Sequence, residues 1–371
     1  MANILVNLEN QKGAGPKNIS RQFLLQVTKY DDYFFILNAD QAIEAATNNL
    51  TFVVYKELPG FLSRVIYYFY FYYLFLPRHI KRNKIAKYLV FGNYLHGLFN
   101  CPARVLIHHP YLFDLRAILA ARISIIVKEL TKYIVFRALI IFRSNTCLVV
   151  QSNSMLFKLK KSVLRRFSAS IIPNPFSSSL KVRERNFDEI YPNRQLKNLN
   201  NEKLMLAYIS RYYPHKRFDS LMTFIEEFRQ FNIPFMVMVT VAPDYELAIP
   251  KLIDYPEIIN CGEVAQEQLQ SVYEKIDLCL YFSERETFGN TILESLMFGI
   301  PIFGLDYDYF LDFIPDANSP LVSKSVVDMA KSVSDVATDK KAFVGLIASS
   351  KVYSEPFKTV EPWVNEMSQF E

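Results

Sequence analysis

Short, almost wholly apolar runs alternate with amphipathic helical stretches nearly from end to end of the chain. Residues 3–9 (NILVNLE), 33–39 (YFFILNA), 51–58 (TFVVYKEL), 87–93 and 104–110 (RVLIHHP) are apolar on both faces, with helical stretches such as 17–29 between them. That is the pattern of parallel strands covered by helices on either side. It returns in strand-like runs over 204–210, 235–241, 277–283 and 301–305, interleaved with helical segments over 218–228, 265–276 and 291–298. Two βαβα series in one chain predict an α/β protein of two doubly wound domains. A polar, charged and aperiodic stretch, 177–203, marks the break between them. The strand-like 170–176 just before it is taken as the entry to the second domain. The expected division is therefore 1–170, 171–354, and a last helical piece, 355–371, that carries the only tryptophan and packs back on the first domain.

Length and composition narrow the class. The 371 residues suit about two domains, and 51% hydrophobic against 21% charged residues excludes wholesale disorder. Forty-two Lys and Arg against 37 Asp and Glu leave a net charge of +5, too mild an excess to point to nucleic acid. The four cysteines show no CxxC and no Cys/His ligand spacing, so zinc is not expected and the thiols read as reduced. The N-terminus lacks a basic region followed by a long apolar one, and no run reaches the ~18–20 apolar residues that span a bilayer. A cytoplasmic protein is expected.

The 31 Phe and 23 Tyr are not spread evenly. Residues 61–76, FLSRVIYYFYFYYLFL, are apolar or aromatic apart from Ser63 and Arg64, and run into PRHIKRNKIAK. Residues 116–143 set Arg116, Arg122, Lys128, Lys132, Arg137 and Arg143 among Ile, Leu, Val and Phe. The first run is too short to span but suits a helix lying in the bilayer interface, with cations on anionic lipid. An aromatic core helix with a solvated basic face fits the same residues. Their adjacency favours the interfacial reading, which puts the protein at the inner face of the cytoplasmic membrane.

The densest chemical signal is 281–304, YFSERETFGNTILESLMFGIPIFG. A strand ends, a loop carries Glu286, and Gly289, Asn290 and Thr291 open a helix stopped by Gly299 and Pro301. A helix N-terminus beside a glycine offers backbone N–H groups and a positive dipole end to phosphate. Two carboxylates next to an anion site, Glu286 and Glu294, need neutral hydroxyls as partners, and a sugar and a ribose supply them. Thr291-x-x-Glu294 also fits a capping box.

The whole string resembles the donor-site signature of the retaining GT-B glycosyltransferases of family 4: Glu-x7-Glu, then a Gly-x-Pro strand entry. In the same order, 209–222 (ISRYYPHKRFDSLM) resembles that family's strand–Arg–xxxx–Lys loop, which implies Arg211 and Lys216 on the nucleotide diphosphate. INCGEV (259–264) resembles the loop, here with Gly262, whose backbone reads the nucleobase. VQSNSM (150–155) and IIPNPF (171–176) resemble segments at the approach to the second domain. In the first half, KGAGPKN (12–18), with Gly13 and Gly15, resembles the Gly-rich loop at the interdomain cleft. Asn18 stands where a dinucleotide fingerprint needs its third glycine, so NAD is not expected. LIHHPYLFD (106–114) matches the strand end where the family keeps a His near the donor sugar. His108 is the better match, and His109 stays open.

The resemblance implies two Rossmann-like domains facing a cleft and transfer with retention of configuration. No metal or cofactor is implied beyond a UDP-, GDP- or dTDP-sugar donor, although Asp306-Tyr307-Asp308 imitates a metal-binding D-x-D. In it Glu286 would hold donor-sugar hydroxyls and Glu294 the ribose. The basic and aromatic first half adds an expected lipid-linked saccharide acceptor, as in O-antigen or capsule assembly. A GT-B epimerase or phosphorylase is the alternative.

Overall fold

The computed structural model describes residues 3–11, 14–27, 32–48, 50–119, 123–143, 145–176, 180–181, 203–242, 249, 252–357 and 361–368. Gly13, Arg122 and all of 177–203 except Leu180, Lys181 and Lys203 lie outside the described residues. The chain forms two compact units: Met1–Pro175 with Thr359–Glu371, and Phe176–Lys358.

The first unit is built on a seven-stranded sheet: β1 (Asn3–Asn7), β2 (Tyr33–Leu37), β3 (Thr51–Val54), β4 (Ile85–Phe91), β5 (Ala103–Leu106), β6 (Thr146–Val150) and β7 (Ser168–Ile171). All pairs are parallel, in the order β3-β2-β1-β4-β5-β6-β7. Successive side chains go to opposite faces. Ile4, Val6, Phe35, Leu37, Leu89, Phe91 and Val149 join one core, while Leu5, Ile36, Tyr88, Val90, Val105 and Leu148 join the other. Helices α1 (Ala14–Val27), α2 (Ala39–Thr47), α3 (Phe61–Phe69), α4 (Leu76–Arg82), α5 (Ile123–Ile140) and α6 (Asn153–Lys161) connect the strands. The second unit has a six-stranded parallel sheet: β8 (Leu204–Tyr208), β9 (Phe235–Val239), β10 (Ile258–Asn260), β11 (Leu278–Tyr281), β12 (Ile302–Leu305) and β13 (Val322–Ser323). Its order is β10-β9-β8-β11-β12-β13. Helices α7 (Phe218–Phe228), α8 (Asn290–Met297), α9 (Val326–Thr338) and α10 (Lys340–Ser354) belong to it. Helix α11 (Glu361–Ser368) returns to the first unit, where Val364 and Met367 are buried against the core that holds Ile19 and Phe23.

The strands stop earlier than the apolar runs that predict them. Leu8, Ile107, Ile209, Val241 and Phe282 lie just past strand ends and are still buried, so hydrophobicity cannot mark where the ladder ends. Residues 170–176 do not open the second unit. Their first part is the end of β7, which pairs with β6 and closes the first sheet.

The aromatic segment is not one regular helix. A π turn, Tyr70–Phe75, separates α3 from α4, and the Leu76 N–H reaches back to the Phe71 carbonyl. π turns insert a residue and re-aim the side chains around it. Phe71, Tyr72, Leu76 and Ile80 are buried in the first unit, whereas Phe61, Leu62, Ile66, Phe69 and Leu74 are exposed. One face of the segment is core and the opposite face is open apolar surface. No helix among the described residues is long and apolar enough to cross a membrane.

Gly304 in β12 is a packing requirement. A Cβ there would sit 2.3 Å from Cε2 of Phe310, a fully buried ring. Gly304→Ala should destabilise the second unit by ~1–3 kcal/mol, the range for overpacking a filled core. Scanning calorimetry reads this, and an unchanged transition would mean that Phe310 moves aside freely.

Candidate functional site

Polar residues gather at the carboxyl edge of each sheet. In the second unit the strand order reverses between β8 and β11, and loops beside such a switch point leave a crevice for ligands. The loop after β8 carries Arg211 and Lys216, and the loop after β11 carries Glu286 and leads into α8. The two loops are tied by the Glu284 N–H, which donates to the His215 carbonyl at 2.7 Å. Lys216 ends a tight turn, Pro214–Lys216, and its Nζ pairs with Glu286 Oε1. Ser283 Oγ donates to the same oxygen at 2.6 Å. Burial alone would raise the Glu286 carboxyl. The positive charge of Lys216 and His215 and the Ser283 bond outweigh it and hold Glu286 below the usual carboxylate range.

Helix α8 starts at Gly289, whose φ is +106°, in the left-handed region. A Cβ at that position would come within 2.8 Å of Ile292 Cδ1, and Gly289 has no side chain to cap the helix. The α8 N-terminus, with Asn290 and Thr291, thus presents its dipole end without a side-chain cap. The capping box does not form: Thr291 Oγ1 donates to the Ile209 carbonyl at 3.3 Å, tying α8 to the end of β8. Glu294 lies one turn further in and is buried. It accepts bonds of 2.8 Å each from Gln266 Nε2 and Tyr273 Oη. Burial pushes its pKa up to about 6, against the pull of those two donors.

Gly262 turns the loop after β10 with φ +70°. Its N–H donates to Asn260 Oδ1 at 3.0 Å. Next to it, Glu263 faces Arg211 Nε at 3.3 Å, with the two side chains 44% and 43% exposed. A pair so exposed is worth at most ~1 kcal/mol and is readily exchanged for another partner. The structure therefore brings Arg211, Lys216, Gly262, Glu286, Gly289, Asn290, Thr291 and Glu294 to one edge. Asp306 and Asp308 follow the end of β12: the Asp306 N–H is bonded to Ser323 O, and Asp308 opens a short helical turn, Asp308–Leu311.

In the first unit His108 follows β5 and is half-buried, with its ring Nε2 shielded from solvent. Its backbone N–H donates to Asn93 Oδ1 at 2.7 Å. Gln151 Nε2 donates to His108 Nδ1 at 3.2 Å and its other hydrogen goes to Asn174 Oδ1. With Nδ1 accepting, the imidazole proton belongs on Nε2, which is buried and has no hydrogen-bond partner among the described residues. Burial lowers the His108 pKa from 6.5 to about 4, so the ring is neutral. His109 is in a different environment. Its Nε2 lies 2.5 Å from Glu129 Oε2, and Lys132 Nζ lies 2.7 Å from the other carboxylate oxygen. Gly15 is the second residue of α1 rather than part of a loop. Sequence reasoning gave no role to Asn93, Gln151 and Asn174. Their common signal is a polar residue one to three positions past a strand end.

Residues 203–339 match the family model of glycosyl transferases group 1. That match lies wholly within the second unit. No curated protein matches the chain by sequence. Among solved structures, sucrose-phosphate synthase from Thermosynechococcus elongatus superposes with a TM-score of 0.73 at 13% identity, covering 100% of this chain and 98% of that one. HepE from Anabaena, in complex with UDP and glucose, gives 0.68 at 12% identity, with 99% and 98% covered. WaaG, a glycosyltransferase involved in lipopolysaccharide biosynthesis, gives 0.69 at 12%, with 98% and 99% covered. At such identities the likeness is one of fold. That fold, two Rossmann-like α/β domains, is GT-B.

The relay Asn174–Gln151–His108 has a direct signature. The ¹⁵N shifts of His108 should be those of the neutral Nε2–H tautomer from pH 8 down to about 5. Because the folded pKa lies below the unfolded one, the stabilisation is complete above pH 6.5 and drains away as pH falls toward 4. His96, also lowered to about 4 by burial, adds to the same trend. In Gln151→Leu the tautomer preference should vanish. Retention of it would mean that Gln151 does not set the proton.

Proposed function

We propose that the protein is a retaining glycosyltransferase of family 4 type, moving a sugar from a nucleotide-sugar to a lipid-linked saccharide in the assembly of a bacterial surface polysaccharide such as O-antigen or capsule. The observation that carries this reading is the meeting of Lys216, Glu286 and Glu294 around the uncapped start of α8, within the residues that match the group 1 glycosyl transferase family model. Arg211, Lys216 and the α8 N-terminus supply positive potential for the departing diphosphate, a stabilisation that grows as the sugar–phosphate bond breaks. Glu294, already bonded by two neutral donors, takes ribose hydroxyls. Glu286, at the start of the same loop, takes hydroxyls of the donor sugar. The proton on His108 Nε2 is a hydrogen-bond donor for the sugar. No metal is required by these roles. Retention rests on the Glu-x7-Glu resemblance. The same resemblance gives the leaving phosphate as the group that takes the acceptor proton.

The lipid-linked acceptor rests on the first unit. Phe61 is 78% and Ile66 61% exposed on α3, and Phe142, at the end of the basic α5 segment, is 90% exposed. Arg78, Lys81, Arg82 and Lys84 follow the aromatic run. Apolar side chains flanked by cations suit the headgroup region of an anionic bilayer.

Calorimetry with UDP, GDP and dTDP tests the donor site. Lys216→Ala and Glu294→Ala should each weaken binding of the preferred diphosphate by ~10–150-fold, the loss of one charged hydrogen bond at ~1.5–3 kcal/mol. Wild-type affinity in both variants would remove these residues from the site. Ligand hydroxyls donate to a carboxylate, so affinity should fall as pH drops through about 6, where Glu294 takes up a proton. Glu294→Gln should lose that dependence.

Vesicle sedimentation tests the membrane face. Binding to anionic vesicles should be partly released by salt, because the Debye length shrinks to ~3 Å at 1 M, and fully released by detergent. Reversal of Lys81, Arg82 and Lys84 to Glu should abolish binding while leaving nucleotide affinity intact. Equal sedimentation with neutral and anionic vesicles would exclude the electrostatic part.

A further inference from the structure

The first unit has a pocket that none of the assigned donor-site residues lines. Its volume is ≈ 170 Å³, and it opens where β1, β2 and β3 end, walled by Glu9, Asn10, Asn38 and Tyr55. Lys56, Glu57 and Arg64 complete the lining. At ~30 Å³ per water this is the space of about five or six waters, the scale of one sugar ring rather than of a chain.

Glu9 is the deeply buried member, 5% exposed, and its carboxylate is held in place. Tyr72 Oη and Asn10 Nδ2, the latter at 2.8 Å, both donate to Glu9 Oε1. The Glu9 N–H is bonded to Asn7 Oδ1 at 3.1 Å, and Asn38 Nδ2 reaches the Glu9 carbonyl at 3.3 Å. Tyr72 belongs to the π turn, so the irregular helix fixes the acid in the pocket wall. Tyr55 is fixed as well, its ring packed on Phe71 at 5.0 Å and Tyr67 at 5.1 Å.

The lining holds two acids and two bases. Glu9 and Glu57 oppose a free anion, Lys56 and Arg64 oppose a free cation, and the amides oppose an apolar molecule. What suits such a wall is a set of neighbouring hydroxyls, each donating to a carboxylate while accepting from an amide or a cation. The Tyr55 ring adds an apolar face for C–H groups. Arg64 also belongs to α3, whose Phe61, Leu62 and Ile66 are exposed beside it. A molecule in the pocket therefore lies next to the apolar surface assigned to the membrane.

We infer that this pocket binds an uncharged sugar ring of the acceptor, the one nearest its lipid. The inference rests on the glycosyltransferase reading for the word acceptor, and on the pocket alone for the sugar. The test is saturation-transfer NMR with the methyl glycosides of glucose, galactose and N-acetylglucosamine, in the presence of excess UDP-glucose to fill the donor site. At least one glycoside should give a signal that UDP-glucose does not displace. The signal should fall at least fivefold in Glu9→Gln and in the double variant Lys56→Ala/Arg64→Ala. The double variant changes only exposed side chains, so it remains informative if Glu9→Gln unfolds. Absence of signal from all three glycosides, displacement by UDP-glucose, or an unchanged signal in the double variant overturns the inference. Nucleotide binding measured on the same samples separates the two readings: a nucleotide response without a glycoside signal refutes the pocket alone, and a glycoside signal without any nucleotide response refutes the glycosyltransferase reading alone.

Discussion

Parallel pairing makes every strand of a sheet leave at the same edge, and the chemistry of this molecule follows from that constraint. Each strand is apolar on both faces because helices cover both, which leaves no room for function inside the layers. The polar side chains that gather in clusters therefore do so where the chain turns out of the sheet, although Asn7 and Arg104 are buried within β1 and β5. In the second unit that edge collects the loops bearing Arg211, Lys216, Gly262 and Glu286 and the start of α8. In the first unit it collects Glu9, Asn93, His108, Gln151 and Asn174.

The Lys216–Glu286 pair shows how such an edge holds charge. A buried ion pair gains little net stability, yet removal of one partner leaves the other uncompensated. Here Ser283 shares the load on Glu286, and the bond from Glu284 to His215 holds the two loops in register. The pair fixes the Lys216 and Glu286 side chains against each other across the two loops. Glu294 is arranged differently. It has only neutral donors, so burial raises its pKa, and it gains from any further hydroxyl that donates to it.

In the first unit the aromatic segment contributes both to the core and to open apolar surface. The π turn sends Phe71 and Tyr72 into the core and leaves Phe61, Ile66 and Phe69 outside. A regular helix with a 3.6-residue period would spread an all-aromatic sequence evenly around its axis. On the buried side of the segment Tyr72 reaches Glu9 and Tyr68 reaches His96 at 2.6 Å.

Much of this was determined by the sequence itself. Alternation of apolar runs and helical periods specified two parallel α/β sheets, because only buried strands are apolar on both faces. The Glu286–Glu294 string and the Arg211–Lys216 loop were legible as strand-end loops and a helix start of the second unit, because local strand–turn–helix geometry is encoded locally. Other features were decided only by tertiary structure. Whether 170–176 belonged to the first or second sheet depended on pairing with β6, a partner some twenty residues away. The capping box of Thr291 and Glu294 gave way to longer-range partners, Ile209, Gln266 and Tyr273, which no spacing reveals. His108 and His109 are neighbours in sequence, yet desolvation keeps the first neutral, with Gln151 as its partner, and the other is paired with Glu129. Adjacent residues on a strand end point in opposite directions, and what each one meets is set by the fold around it.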